Sequence, residues 1–258
     1  MKITKKVKKG FTLIELLVVI AIMGALGAVG YVAILSFSNS GDKQAAKQNI
    51  GQVGKAMKAF SGTYNSFPCD STAGRVENKV GNNGELTGET SNPYFRQLFA
   101  KKNTVKEATF YAALPGIAEG DEKIENGECL KPGENAFAYV MMKATTDDTT
   151  TSKPGQKKKQ QNAAVPQRQA ITSGPLLFCC VDRNLKGPVS AEQLTFDMEG
   201  FKGYGIVYNT DDSTTDLDEE SLIADEANDT IGRIDPNFEA KVFGENKQSL
   251  YEILPPAR

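Results

Sequence analysis

Glu15 is the residue whose chemistry most constrains this chain. It follows Lys8-Lys9-Gly10-Phe11-Thr12-Leu13-Ile14 and precedes a long uncharged run. A carboxylate held inside hydrocarbon costs about 2.5–3.5 kcal/mol on insertion scales. It therefore demands a cationic partner, and in a low-dielectric contact that attraction is strong. Two other groups have types and spacing that invite chemistry. Four cysteines stand at Cys69, Cys129, Cys179 and Cys180, and nine carboxylates lie between Asp211 and Asp229 with no lysine or arginine from Gly203 to Gly232. There is no histidine, which removes the usual catalytic base and the commonest transition-metal ligand. No nucleophile–base constellation, phosphate loop or metal triad is visible, so the chain is not expected to be an enzyme.

Four cysteines permit three pairings. Cys69 and Cys129 sit in loop-like contexts, and theirs is the preferred disulfide. Cys179 and Cys180 would point to opposite faces of a strand; a bridge between them would be strained, and both read as free buried thiols. Without a Cys-x-x-Cys pair, a zinc site is not expected. The acidic stretch suits a hard cation, with Asp211, Asp212, Asp216 and Asp218 as the calcium candidates. Against this, its spacing lacks the glycine of an EF-hand loop, and a solvated acidic loop is the alternative. Lys153, Lys157, Lys158, Lys159 and Arg168 form a basic run with no acid between Thr149 and Ala170. It reads as solvated loop charge, with contact to a neighbour's acidic loop as the alternative.

The elements that must position these residues follow from the charge pattern. From Leu16 to Gly41 no side chain is charged, a run of 26 residues. As a helix it would reach about 39 Å, enough for a bilayer core. The lysines before it (Lys2, Lys5, Lys6, Lys8, Lys9) place the N-terminus in the cytoplasm and the rest outside it. A cleaved secretory signal and a plain signal anchor are the alternatives, and neither explains Glu15.

The run KKGFTLIELLVVIAIMGAL resembles the leader and helix start of type IV prepilins and type II secretion pseudopilins. The resemblance implies that a prepilin peptidase removes residues 1–10 by cutting between Gly10 and Phe11. The new amine of Phe11 would then be N-methylated, and Glu15 would match the acidic residue five places into the mature chain. It also implies assembly with other pilin or pseudopilin subunits through this helix, with Glu15 pairing the Phe11 amine of a neighbour. An inner-membrane platform and its ATPase would drive that assembly. The expected location is the bacterial inner membrane, single-pass in lipid, with the domain periplasmic and later filament-associated.

Losing the five leader lysines takes the formal side-chain charge from −2 to −7, so nucleic acid is not expected as a main partner. Many family members carry a proline beyond the helix start; here Gly30-Tyr31-Val32-Ala33-Ile34 has none. Gly24, Gly27 and Gly30 instead recur every three residues. They read either as a close-packing and softening device or as simple tolerance of small residues.

The expected fold is α+β and pilin-like. A long N-terminal helix, with a membrane and assembly half (11–41) and an amphipathic half (42–66), packs on the antiparallel sheet of an exported domain (67–258) with long loops. Ala46, Ile50, Val53, Met57, Phe60 and Tyr64 form one apolar stripe, with Lys43, Lys47, Lys55 and Lys58 on other faces. An irregular connection is expected at 69–92, a short helix at 93–99 and a second helix at 105–113. Strands are expected at 136–143, 176–181 and 205–208, with a polar loop at 145–161. A hairpin is expected across Gly244-Glu245-Asn246-Lys247, joining 240–243 to 250–254. NPYFRQLFAKKNTVKEATFYAAL, NAFAYVMM and PLLFCC also resemble exported pseudopilin-like proteins, which implies type II secretion. A type IV pilin is the alternative, and a membrane-tethered ligand-binding module that never polymerises is the alternative of another class.

Overall fold

The computed structural model describes residues 13–80, 85–100, 105–124, 129–145, 167–245 and 247–258, with backbone only for 24–39, 77–80, 100, 144 and 145. Gly10, Phe11 and the lysines of the leader and of the 145–161 loop lie outside the described residues. Two compact units divide between Gly41 and Asp42, within helix α1 (Leu13–Tyr64).

The larger unit is α+β, as expected. A seven-stranded antiparallel sheet has the order β4 (Val189–Ser190), β10 (Tyr251–Leu254), β1 (Phe137–Thr145), β3 (Pro175–Cys179), β6 (Gly205–Asn209), β7 (Thr214–Leu217), with β2 (Gln167–Ala170) also on β1. A three-stranded sheet has the order β5 (Phe196–Asp197), β9 (Asn228–Ile234), β8 (Leu222–Asp225). All five stripe residues from Ile50 to Tyr64, and Ala46 before them, are buried in the core beside Phe137, Leu177, Phe178 and Ile206. The strands expected near 136, 176 and 205 are β1, β3 and β6, and the short helix is α3 (Ser91–Arg96) continued by a 3-10 turn, Gln97–Ala100.

Four expectations are corrected. Residues 70–80 form α2 (Asp70–Val80) instead of an irregular connection. Its start is capped from within: the Thr72 hydroxyl accepts from the Cys69 N–H at 2.8 Å, and the Cys69 carbonyl accepts from the Ala73 N–H. The helix expected at 105–113 is a single 3-10 turn, Glu107–Phe110. The hairpin expected across Gly244 is helix α4 (Pro236–Phe243) followed by β10. Asp235 accepts from the Asn237 N–H at 2.7 Å and Pro236 opens the helix, a start signal that outweighs the turn chemistry downstream. The acidic stretch is not one loop, because β7, β8 and the start of β9 run through it.

Candidate functional site

In the N-terminal unit, every described side chain from Leu13 to Met23 is exposed, Leu13 reaching 84 %. An amphipathic surface helix would hide one stripe; this one is apolar around its circumference and presents no polar face except at Glu15. Such a surface requires lipid or other helices as cover. Glu15 sits in the first turn of α1, where the N-terminal end of the helix dipole favours an anion. Among the described residues, no helix is long and apolar enough to cross a membrane.

The larger unit holds the amphipathic half of α1 by polar clamps as well as by the stripe. Lys43 and Lys47 both reach Asp216 Oδ2, at 3.2 and 2.7 Å, and Lys58 reaches Asp212 Oδ2 at 2.6 Å. Lys43 also lies 3.7 Å from the centroid of the Tyr204 ring. The Tyr208 hydroxyl donates to Asp212 Oδ1, and Gly54 faces the Tyr208 ring so closely that any Cβ at position 54 would overlap it. Hydrogen bonds from Lys58 and from Tyr208 hold the Asp212 carboxyl below the usual carboxylate range, while burial pushes the Tyr208 hydroxyl up. Sequence reasoning found the helix stripe and missed this pairing. The signal was the phase of Lys43, Lys47 and Lys58, about one and then three helical turns apart, set against Asp212 in the β6–β7 turn and Asp216 four residues later on β7.

These contacts bear on the calcium candidates. Asp212 and Asp216 face lysines. Asp211 is turned to the Ser213 hydroxyl at 2.6 Å, and Asp218 to the Ser221 hydroxyl at 2.9 Å. Among the described residues no three acidic, cysteine or histidine side chains are grouped to hold a metal.

The expected Cys69–Cys129 bridge is not formed; all four cysteines are free and buried. Cys69 lies at the start of α2 with its thiol 3.1 Å from the Ser71 hydroxyl. Cys129 is held by other neighbours. Its carbonyl accepts from Arg96 Nε at 2.7 Å, and burial, with Glu107 beside it, pushes its thiol up. Cys179 ends β3, and Cys180 turns out of the strand with φ +67, their sulfurs 3.8 Å apart. Arg168 is likewise no solvated loop charge. It donates to Glu252 at 2.7 Å, to Glu89 at 3.0 Å and to the Gly88 carbonyl at 3.0 Å.

Residues 5–31 match the model of the prokaryotic N-terminal methylation motif. The chain carries a prepilin-type cleavage and methylation segment. The motif spans Gly10, Phe11 and Glu15 together with the apolar start of α1, and it is the processing segment of type IV pilins and pseudopilins. It suggests a membrane-anchored envelope protein, implies processing by a prepilin peptidase, and implies assembly with pilin-type subunits. No match was found among curated proteins or among solved structures.

Proposed function

We propose that this chain is a pseudopilin-like structural subunit of a type II secretion filament, without catalytic activity of its own. The observation that carries the reading is the methylation motif at residues 5–31 on a helix that is apolar all round except for Glu15. The basic leader holds the N-terminus on the cytoplasmic face of the inner membrane while the α+β domain lies in the periplasm. Prepilin peptidase hydrolyses the Gly10–Phe11 bond, leaving residues 1–10 as a peptide and a cationic amine on Phe11, which is then N-methylated. An inner-membrane platform and its ATPase lift the subunit out of lipid into a helical bundle.

The role of Glu15 follows from electrostatics. Helix-to-helix contact among leucine, isoleucine and valine is slippery and has no preferred register. One carboxylate that must meet one ammonium supplies that register, because a buried charge without its partner costs about 3–5 kcal/mol. The pair forms only after cleavage, so uncut chains stay out of the filament. In Glu15→Val, insertion into the membrane should match wild type while the amount in sheared filaments drops steeply. Equal incorporation of the variant would remove this reading. Deleting the chain should retain secreted proteins in the periplasm; loss of surface attachment or motility with secretion intact would favour a type IV pilus instead.

A further inference from the structure

We propose that the β8–β9 hairpin docks into the groove between α1 and the Val105–Thr109 segment of a second copy of this chain. The idea rests on the filament reading and names a contact between its domains.

The hairpin carries a mainly acidic surface with an apolar centre. Asp225, Glu226 and Asp229 surround its turn, and Glu226 and Asp229 are exposed. Ile223, 51 % exposed, stands beside them. Among the described residues, Ile223 and Leu250 are the only exposed large hydrophobic side chains outside the N-terminal helix. Arg233 is the local cation, and it already faces Asp225 at 3.7 Å. β8 is the outer strand of its sheet, so among the described residues no further strand pairs with its outer edge. A groove of about 470 Å3 flanks it, with Glu192 and Glu239 adding to the negative rim.

The complementary surface is a groove of about 480 Å3 lined by Ala56, Ala59 and Val105 with Lys55 and Lys106, and among the described residues no carboxylate lines it. Lys43, Lys47 and Lys58 on the same helix are each bound to an aspartate. Lys55 and Lys106 are exposed and, among the described residues, in no ion pair. Small lining residues leave room for Ile223, and the two lysines meet the acids of the turn. Charge complementarity of this kind selects and orients a partner more than it adds affinity.

The two surfaces share no residue, so the contact is heterologous: each copy offers one surface forward and the other back. Repetition of such a contact gives an open chain of subunits instead of a closed dimer. In the filament reading, the contact orients subunits already held through their helices.

The test places a photo-crosslinking benzoylphenylalanine at Ile223 in the full-length chain in its own membrane. The expected product is an adduct of two copies whose linked peptide maps to 52–59 or 105–109. Lys106→Glu should lower its yield several-fold, and adding Glu226→Lys should restore it. Both positions are exposed, so the swaps leave the core untouched. No adduct with a second copy, an adduct with a different protein, or a yield indifferent to the swaps would overturn the proposal. Filaments formed without this adduct remove the docking alone; the adduct without filaments removes the filament reading alone.

Discussion

Gly54 on α1 and Tyr208 on β6 are in contact through the absence of a side chain: the tyrosine ring occupies the space a Cβ would take. One turn further along the helix, Lys58 holds Asp212, which accepts from the same tyrosine. Near the other end of this half, Lys43 and Lys47 hold Asp216. The β6–β7 hairpin thereby fixes both the rotation and the axial position of residues 42–64 on the domain.

Gly54→Ala should destabilise the protein despite alanine's better helix propensity. The propensity gain is about 1 kcal/mol, and forcing extra volume against a packed aromatic ring costs about 1–3 kcal/mol. Gly51 and Gly62 lie on the same helix with open space around them, so Gly51→Ala and Gly62→Ala should raise the melting temperature. Thermal melts of the three variants check the claim. A Gly54→Ala variant as stable as the other two would show that the ring yields without cost.

Asp216→Asn should lower stability by about 1 kcal/mol at low salt, the upper range for ion pairs with this exposure. The difference should shrink as ionic strength rises, because salt weakens partly exposed ion pairs. Denaturant titrations at two salt concentrations measure it. Identical curves for variant and wild type at low salt would mean that the lysine pair on Asp216 contributes nothing.

The helix stripe and three central strands were legible because each is a strong local pattern. Ala46 to Tyr64 repeats at helical spacing, and AFAYVMMK and PLLFCC are unbroken apolar runs. What escaped was decided by partners distant in sequence or by quiet capping signals. Asp212 and Asp216 read as a hydrated loop because their lysines lie about 155 to 175 positions away. Arg168 read as surface charge because its partners, Glu89 and Glu252, lie on opposite sides of it in sequence. Asp235-Pro236 announced α4, but the glycine and lysine beyond it mimic a hairpin turn. The loop-like contexts of Cys69 and Cys129 gave no information on which cysteines meet. The motif around Gly10, Phe11 and Glu15 was legible in full because its chemistry is written in contiguous residues.

Glu107 gives a pH-dependent prediction. It is fully buried, with Oε1 accepting from the Leu130 N–H at 2.6 Å and Oε2 lacking a hydrogen bond. Burial raises its carboxyl above the usual range, opposed by the Leu130 bond, and Glu134, Asp121 and Glu122 add to the rise. Cys129 and the Arg96 guanidinium also face it. The folded state therefore holds its proton more tightly than the unfolded chain, whose glutamates titrate near pH 4.3. Its contribution is complete below that pH and is lost as pH rises through the raised folded value. Glu107→Gln does not titrate, so the stability of the variant relative to wild type should increase with pH above about 4.3. Melting both proteins across pH 4–8 tests this; a constant difference would mean that Glu107 titrates alike in both states.

The central claim is that cutting at Gly10–Phe11 creates the amine that Glu15 needs and so admits the subunit to a filament. The direct measurement is the N-terminal mass of the chain recovered from sheared surface filaments. The account predicts a chain beginning at Phe11, carrying one added methyl group, with the uncut form confined to the membrane fraction. Recovery of the chain in filaments with its ten leader residues attached, or cut anywhere else, would contradict it.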